Sequence, residues 1–169
     1  MITQSRLKSV LNLTDDGFVW IVSGSGRHIG KRAGSLHING YRTVYVDGRS
    51  YPEHHLVWLW HHGVIPKELD HENGNPSDNR IGNLRLSTRC ENMWNQDARK
   101  NNTSGYKNVT WHKAANKWAA QIRYMGKRKH LGVFDDAKDA DEFATLAAEM
   151  LHGRFANHMR SSGSVSVGV

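Results

Sequence analysis

The chain has little of the material that builds disulfide-linked or membrane-spanning proteins. Its 169 residues include a single cysteine, Cys90, and three prolines. One thiol excludes a disulfide within the chain and a four-cysteine structural zinc site, and it fits a reducing compartment. No apolar run approaches the roughly 20 residues that a membrane-spanning helix needs. The first ten residues carry two basic side chains and no apolar signal-peptide core, so we expect a cytoplasmic protein that is not secreted.

Acidic side chains are scarcer than basic ones. The chain has 16 Asp and Glu against 23 Lys and Arg, which gives a formal net charge of +7 and a pI of about 9.7. A basic protein of this size prefers a polyanion as partner, and nucleic acid is the first candidate. A membrane surface is the alternative, but the sequence contains no basic amphipathic helix that would support it.

The first fifty residues predict a small antiparallel β unit. Residues 18–22 form an apolar run that follows a turn and is typical of a strand. Asn39-Gly40 predicts a hairpin with a type I′ turn, and Asp47-Gly48 predicts a second tight turn. Residues 5–13 predict at most one or two helical turns. Residues 53–62 predict a helix that ends at Gly63.

The stretch from Leu69 to Asn95 carries oxygen ligands and an imidazole at fixed spacing. Asp70 and His71 are adjacent, Asn83 follows after twelve positions and Asn92 after nine more. A carboxylate and an amide oxygen suit a magnesium-type ion that keeps most of its waters. A neutral imidazole accepts a proton from water near neutral pH. Asn83 is placed to hold either a loop carbonyl or the imidazole, and the set suits phosphodiester hydrolysis.

Four segments in this region, YPEHHLVWLWHHGVIP, DHENG, DNRIGNLR and ENMWN, resemble the HNH (His-Asn-His) endonucleases of phage and homing type. The resemblance implies a ββα-metal active site. In such a site Asp70 and Asn92 bind one Mg²⁺ or Mn²⁺, His71 is the general base and Asn83 is the central asparagine. Cleavage products with a 5′-phosphate and a 3′-hydroxyl are also implied by the resemblance.

Several further residues around this stretch are candidates for supporting roles. His54 is expected to support the site by hydrogen bonding. His55 stands where the family usually has Arg, so a phosphate contact there would be weaker. Arg80, Arg85 and Arg89 are candidates for gripping the DNA backbone near the cut. A zinc site on the predicted helix is the alternative for its four histidines, but no thiol or carboxylate has matching spacing. These histidines are His54, His55, His61 and His62.

After a polar linker at 99–101, the sequence pattern changes to one that predicts three strands and a helix. Strands are predicted over 106–112, 117–125 and 127–132, followed by a helix over 135–151. We expect three antiparallel strands with one helix across their apolar face, which carries Trp118, Ala120, Ile122 and Tyr124. On the helix the expected apolar stripe is Ala140, Phe143, Ala144, Ala147 and Leu151. We therefore predict a nuclease domain over 1–98, a second domain over 102–156 and a disordered tail over 157–169.

Charge is segregated within this second domain. Nine Lys or Arg and no Asp or Glu lie between Arg99 and Lys129, whereas acidic residues cluster on the predicted helix. Such a run is often only a solvated face, but its one-sided distribution favours binding to phosphates. A three-stranded sheet of this width can enter the major groove of DNA.

The segment SGYKNVTWHKAANKWAAQIRYMGKRKHLGVFDD and the helix after it resemble the APETALA/ethylene-response-factor DNA-binding domain of plants. The resemblance implies DNA contacts from one set of residues: Lys107, Thr110, His112, Gln121, Arg123, Arg128 and His130. Thr110 and His112 stand where Arg is usual, and Gln121 stands where Glu is usual. The base sequence that is recognised is therefore expected to differ.

Taken together, the sequence predicts an α+β protein that is a site-recognising endonuclease acting on double-stranded DNA. No membrane and no small-molecule substrate are expected. One base and one metal make one active site per chain, so a monomer would nick one strand at a time, unless two chains pair on the DNA or the chain rebinds. Two alternatives remain open: a DNA-binding regulator with a vestigial nuclease site, and a nonspecific or structure-selective nuclease.

Overall fold

The structure is a computed structural model, and it describes residues 1–95 and 102–156. The chain folds into two compact units, the first spanning Met1–Thr88 and the second beginning at Arg89. The predicted linker at 99–101 and the predicted tail at 157–169 lie outside the described residues. The assignment of domains to 1–98 and 102–156 stays a prediction.

The first unit contains two α-helices and seven short strands. In chain order they are α1 (Gln4–Val10), β1 (Leu11–Thr14), β2 (Gly17–Trp20), β3 (Ser35–Leu36), β4 (Arg42–Val46), β5 (Arg49–Pro52), α2 (Glu53–His62), β6 (Leu69–His71) and β7 (Leu84–Leu86). The strands form three antiparallel sheets, β1-β2, β3-β4-β5 and β6-β7. A single 3₁₀ turn, Ile81–Asn83, leads into β7.

Helix α2 anchors the core of the first unit. It buries Leu56, Val57 and Leu59 against apolar side chains from α1 and the surrounding sheets, and β7 adds Leu84 to the same cluster. Burying each such side chain contributes about 2 kcal/mol. The predicted bounds of α2 are confirmed, and Gly63 ends the helix in the left-handed region at φ 77°.

The helical turns predicted within residues 5–13 are confirmed by α1, but they end at Val10, because residues from Leu11 onward pair with β2 as a strand. One local prediction in the first unit is wrong. The Asn39-Gly40 turn is not type I′, since only Gly40 has positive φ, at 85°. At the second turn Asp47 and Gly48 do both have positive φ, 49° and 79°, as that turn type requires.

The second unit is a three-stranded antiparallel sheet with a long helix. Its described elements are α3 (Arg89–Asn95), β8 (Val109–His112), β9 (Lys117–Tyr124), β10 (Lys127–Phe134) and α4 (Ala137–His152). The strand order is β10-β9-β8, and a 3₁₀ turn over Gly153–Phe155 follows α4. Cys90, near the start of α3, is exposed. The predicted helix over 88–99 is described only as far as Asn95.

Helix α4 covers one face of this sheet through small side chains. Ala140 and Ala144 pack with Ala120 of β9, and Ala148 packs with Ile122. The predicted architecture and the α+β class are therefore confirmed.

The predicted stripe on α4 is confirmed at Ala140 and Ala144, which are buried, and is wrong at Phe143 and Leu151. Phe143 is 46% exposed and Leu151 is 39% exposed, while Ala148 and His152 are buried. Alanines at every fourth position, 140, 144 and 148, set the contact because they let the helix approach the sheet closely.

Candidate active site and nucleic-acid interface

Strands β6 and β7 bring the predicted carboxylate opposite an arginine. Asp70 pairs with Arg85 in the strand register. Nε and Nη2 of Arg85 both donate to Oδ2 of Asp70, at 2.8 and 2.6 Å. Each side chain is 9% exposed. A buried ion pair with two hydrogen bonds of this quality holds its carboxylate in a fixed position.

Arg85 therefore differs from its expected role as a backbone-gripping residue. Its guanidinium is buried against Asp70, and its Nη1 lies 3.8 Å from Oε1 of Glu72. A side chain in this position orients the carboxylate rather than extending to a phosphate. The cause is the antiparallel register, which sets residue 85 directly across from residue 70.

Asn83 holds the loop between the two strands. Its Nδ2 donates to the backbone oxygen of Asp78 at 2.8 Å and to Oδ1 of Asn73 at 3.1 Å, and its Oδ1 accepts from the backbone N–H of Asn73 at 3.0 Å. Of the two partners suggested by the sequence, the structure places Asn83 on a loop carbonyl. The Asn83 side chain, which is 9% exposed, thus holds the loop by hydrogen bonds near its start, at Asn73, and near its end, at Asp78.

His71 is hydrogen-bonded to an asparagine that the sequence did not single out. Nε2 of His71 and Oδ1 of Asn79 are 2.9 Å apart. Nδ2 of Asn79 donates to Oε2 of Glu53 at 2.8 Å. His71, Asn79 and Glu53 therefore form a continuous chain of hydrogen bonds from β6 to the first residue of α2.

Glu53 is almost fully buried at the far end of that chain, with 1% exposure. Nη1 of Arg32 lies 2.6 Å from its Oε1, and the backbone N–H of Phe18 points to the same oxygen at 3.4 Å. Arg42 is more distant, with Nε 3.9 Å from Oε2. The neighbouring guanidinium compensates the charge that burial would otherwise disfavour.

Aromatic rings close around the imidazole of His71. The ring of His54 lies 5.1 Å from it, centre to centre, and the ring of Tyr41 lies 5.9 Å away, both in edge-to-face arrangements. His54 thus meets His71 through a ring contact. Burial lowers the pKa of His54 to about 3, and the nearby charges of His55 and His71 act in the same direction. His54 is therefore neutral over the whole physiological range.

Arg80 lies on the exposed side of the same loop. Its Nε and Nη2 donate to the two carboxylate oxygens of Asp78, each at 2.7 Å, and this pairing lowers the pKa of Asp78 to about 2. The Arg80 side chain is 77% exposed. Arg80, Glu72 and Asn83 line an open groove beside the loop, and the contact of Arg80 with a phosphate stays a prediction.

The β3-β4 hairpin rests on this loop at its tip. Oγ of Ser77 donates to the backbone oxygen of Gly40 at 2.8 Å. A side-chain carbon added to Gly40 would lie 2.8 Å from Cγ of Pro76. The hairpin therefore supports the loop from outside through a contact that needs a residue without a side chain.

Asn92 and Arg89, the other predicted site residues of this region, belong to α3 and to the second unit. Asn92 is half-buried and Arg89 is exposed. Within the second unit the ring of Trp94 stacks on His152 with centroids 4.1 Å apart, and Nζ of Lys107 donates to the backbone oxygen of Trp94 at 2.5 Å. Lys107, a predicted DNA contact, thus helps to attach α3.

The remaining predicted DNA contacts share one face of the second sheet. Cross-strand partners lie on the same side of a sheet, and the register pairs Gln121 with His130 and Arg123 with Arg128. Thr110 and His112 join this face because they pair with Ala119 and Lys117. This set, which we call the open face, lies opposite α4: Thr110, His112, Gln121, Arg123, Arg128 and His130. All are exposed except Gln121, which is half-buried and donates to Oγ1 of Thr110 at 3.2 Å.

Sequence reasoning missed the residues that support His71. Asn79 stands in a polar loop and resembles a turn residue, and Glu53 resembles an ordinary acidic residue in the first turn of a helix. Arg32 lies in a glycine-rich segment with no periodic pattern. The one local signal is an acidic residue at the start of an otherwise apolar and histidine-rich helix.

Asp70 is the candidate metal ligand of the first unit. Among residues 1–95 and 102–156, no three His, Cys, Asp or Glu side chains cluster as a metal site. A single carboxylate is an oxygen ligand of the kind that Mg²⁺ and Mn²⁺ take, together with retained waters. In the described part of the chain no helix has the length and apolar character needed to cross a membrane.

Comparisons with known proteins agree with the location of this site. Residues 51–94 match the sequence profile described as HNH endonuclease. "Protein 3.8" of Escherichia phage T7 is 36% identical to the chain over 118 residues, which is 68% of this chain and 97% of the phage protein. No solved structure matches the chain significantly.

Proposed function

The chain belongs to the HNH endonuclease family and carries a nuclease domain, and from that premise we propose that it cleaves double-stranded DNA at recognised sites with one divalent ion. The observation that carries the proposal is the β6-β7 hairpin. Asp70 and His71 are adjacent in its buried strand β6, each side chain is hydrogen-bonded to a partner, and Asn83 ties the loop between the two strands.

In the proposed mechanism His71 is the general base. Its neutral ring takes a proton from a water molecule as the water oxygen attacks phosphorus. The bond from phosphorus to the 3′ oxygen breaks, and that oxygen takes a proton from a solvent water. The products are a 5′-phosphate and a 3′-hydroxyl, as the family resemblance implies. Burial of His71 among Tyr41 and His54 restricts how the ring turns, and Asn79 holds its second nitrogen.

Asp70 and Asn92 are the proposed ligands of Mg²⁺ or Mn²⁺. When bound, such an ion offsets negative charge on the phosphate and on the leaving oxygen. Arg85 supports this assignment for Asp70, because its two hydrogen bonds to Oδ2 fix the carboxylate in place. Arg80 and Arg89, both exposed, are the proposed contacts to the DNA backbone near the cut.

The second unit is proposed to recognise the target, as the resemblance to the APETALA/ethylene-response-factor domain suggests. The open face supports this proposal, since Arg123 and Arg128 are paired across two strands and exposed together. Lys107 is proposed to contribute indirectly, through its hydrogen bond to Trp94. One base and one ion per chain imply that a monomer nicks a single strand and that a dimer assembled on DNA cuts both.

The test is incubation of supercoiled plasmid with the full chain, in Mg²⁺, in Mn²⁺ and in chelator. We expect nicked or linear product with either ion and none with chelator. Asp70→Asn should lose cleavage, whereas the matched control Asp15→Asn changes an exposed carboxylate and should not. Cleavage that persists in chelator contradicts the metal assignment. Binding without cleavage in any ion favours the DNA-binding regulator.

Sequencing the cleaved ends of a phage or host genome digest tests recognition. Ends that share a sequence support a site-recognising enzyme. Ends spread evenly over the genome, or concentrated at junctions and hairpins, show the nonspecific or structure-selective nuclease instead.

A further inference from the structure

The hydrogen-bond chain that runs from Glu53 through Asn79 to His71 has a direction. We infer that Glu53 and Asn79 are positioning residues that fix the proton of the neutral His71 ring on Nε2 and leave Nδ1 as the nitrogen that accepts a proton from water. This inference rests on the proposed function for the role of His71, but the placement of the proton is a property of the chain itself.

The direction begins at Glu53, because its carboxylate only accepts hydrogen bonds. Oε1 of Glu53 faces the guanidinium of Arg32 at 2.6 Å, and Oε2 is left to face Asn79. The Asn79 atom that lies 2.8 Å from Oε2 must therefore be the amide nitrogen. The two ends of an asparagine amide are otherwise hard to distinguish, and here a buried carboxylate distinguishes them.

The orientation of the Asn79 amide determines which atom faces the imidazole of His71. With its nitrogen on Glu53, Asn79 presents its carbonyl oxygen to Nε2 of His71 at 2.9 Å. A carbonyl oxygen accepts a hydrogen bond and does not donate one, so the ring nitrogen facing it must carry the hydrogen. A neutral imidazole has one N–H, and the lone pair is then on Nδ1.

The position of the lone pair matters for function, because the general base must present an unprotonated ring nitrogen to the attacking water. A base whose proton sits on the wrong nitrogen retains its position but loses most of its activity, by about 10²- to 10⁴-fold in known cases. This series of hydrogen bonds also accounts for the burial of a charged residue, Glu53, in the first turn of α2. The side chains of Asn79 and His71 separate the Glu53 carboxylate from the substrate, so its effect on catalysis passes through Asn79.

Four proteins test the inference: the full chain, Asn79→Ala, Glu53→Gln, and the double variant Glu53→Gln with Asn79→Asp. In Glu53→Gln the oxygen of the new amide stays on Arg32 and its nitrogen turns to Asn79. Asn79 then reverses, its own nitrogen faces His71, and the proton moves to Nδ1. In the double variant the new carboxylate at position 79 accepts from both the amide at position 53 and His71, so the proton returns to Nε2 with the net charge unchanged.

The first readout is the ¹⁵N spectrum of the His71 ring at a pH where the ring is neutral, which distinguishes the two tautomers without DNA or metal. We expect Nε2–H in the full chain, a mixture in Asn79→Ala, Nδ1–H in Glu53→Gln and Nε2–H again in the double variant. Asn12→Ala, on the exposed side of β1, is the control and should leave the spectrum unchanged.

The second readout is plasmid cleavage, with kcat and KM measured separately. We expect Asn79→Ala and Glu53→Gln to lower kcat by about 100-fold with little change in KM, and the double variant to recover most of that loss. Circular dichroism identifies any variant that fails to fold, and Asn79→Ala then decides alone, since Asn79 is only half-buried.

An Nδ1–H ring in the full chain overturns the inference, and so does an Asn79→Ala protein with unchanged tautomer and kcat. These two outcomes differ from the outcome that would refute the proposed nuclease function. If the full chain cleaves no DNA, the ¹⁵N pattern still decides where the proton lies, whereas a cleaving enzyme with an insensitive tautomer refutes only the positioning role.

Discussion

In the first unit the charged groups of Asp70, Arg85 and Glu53 are buried and face fixed partners, whereas on the second unit the charged groups of the open face lie in solvent. Asp70 and Arg85 are each 9% exposed and share two hydrogen bonds. Arg123 and Arg128 are exposed on neighbouring strands. The first arrangement is rigid and has a specific geometry, while the second leaves its cations able to move toward a ligand.

This difference is consistent with the separate role that is proposed for each region. Buried groups in low dielectric interact strongly and lose little energy to reorganisation, which suits a reaction at one phosphate. Exposed cations interact weakly with each other and release counterions when they meet a polyanion, which suits binding along DNA. Substitutions in the two regions should therefore differ in kind, the first affecting chemistry and stability and the second affecting affinity and its salt dependence.

The largest effect should come from removing the imidazole. His71→Ala should reduce cleavage by about a thousandfold while DNA binding is retained, because the general base is lost and the open face is untouched. The measurement is plasmid cleavage alongside a binding isotherm. His61→Ala, an exposed histidine on α2, is the matched control. Turnover that survives in His71→Ala would remove this residue as the base.

Breaking the buried ion pair should come next. Arg85→Met should lower the free energy of unfolding by about 3 kcal/mol, because it removes the guanidinium that compensates the buried charge of Asp70. Arg80→Met, at a side chain that is 77% exposed, should change it by no more than about 0.5 kcal/mol. Denaturant titration measures both. Adding Asp70→Asn to Arg85→Met should recover part of the loss, and additive effects would argue against a coupled pair.

A third and smaller effect concerns the open face. Reversing the charge of Arg123 and Arg128 together should weaken DNA binding by about 100-fold and lower the slope of log affinity against log salt by about 2. Cleavage in saturating DNA should change little. Lys138→Glu, on the opposite side of the second unit, is the control. Isotherms that stay unchanged in the double reversal would show that this face does not bind DNA.

The smallest effect is a pH dependence of stability that belongs to the buried region. The pKa of His54 is lowered by burial to about 3 in the folded chain, whereas an unfolded histidine has a pKa of about 6.5. Between these values the unfolded state binds more protons. Stability should therefore fall as the pH drops below about 6.5, by at most about 1.4 kcal/mol per pH unit.

Replacing His54 by Gln should flatten that dependence, because the titrating group is gone. His61→Gln removes an exposed histidine from the same helix and should keep the wild-type slope. Denaturant unfolding at several pH values between about 4 and 7.5 measures both, since that window spans the unfolded pKa. An identical slope in the two variants would mean that another group dominates.

Local patterns were sufficient for much of the fold. Residues 53–62 form the predicted helix because apolar periodicity, helix length and the terminal Gly63 agree within one short segment. The sheet and helix of the second unit followed from alternation along β9 and from tight turns. The phase of α4 was harder, since alanines at 140, 144, 147 and 148 allow more than one apolar stripe.

Contacts between distant residues explain what the sequence could not reveal at the site. The spacing of Asp70, His71, Asn83 and Asn92 suggested the chemistry, and their catalytic roles stay predictions. Arg85 was assigned to phosphate because nothing local shows that it lies across from Asp70. Glu53 and Asn79 are 26 positions apart, and their link exists only once α2 has packed beside the loop.

The contact between Gly40 and the loop carries an evolutionary consequence. Because any added side chain at position 40 would meet Pro76 at 2.8 Å, the two positions cannot drift independently. Homologues that gain a side chain at 40 should carry a smaller or rearranged residue at 76, and lineages that lengthen this loop should also reshape the hairpin. Paired substitution across a set of diverged sequences would reveal that constraint.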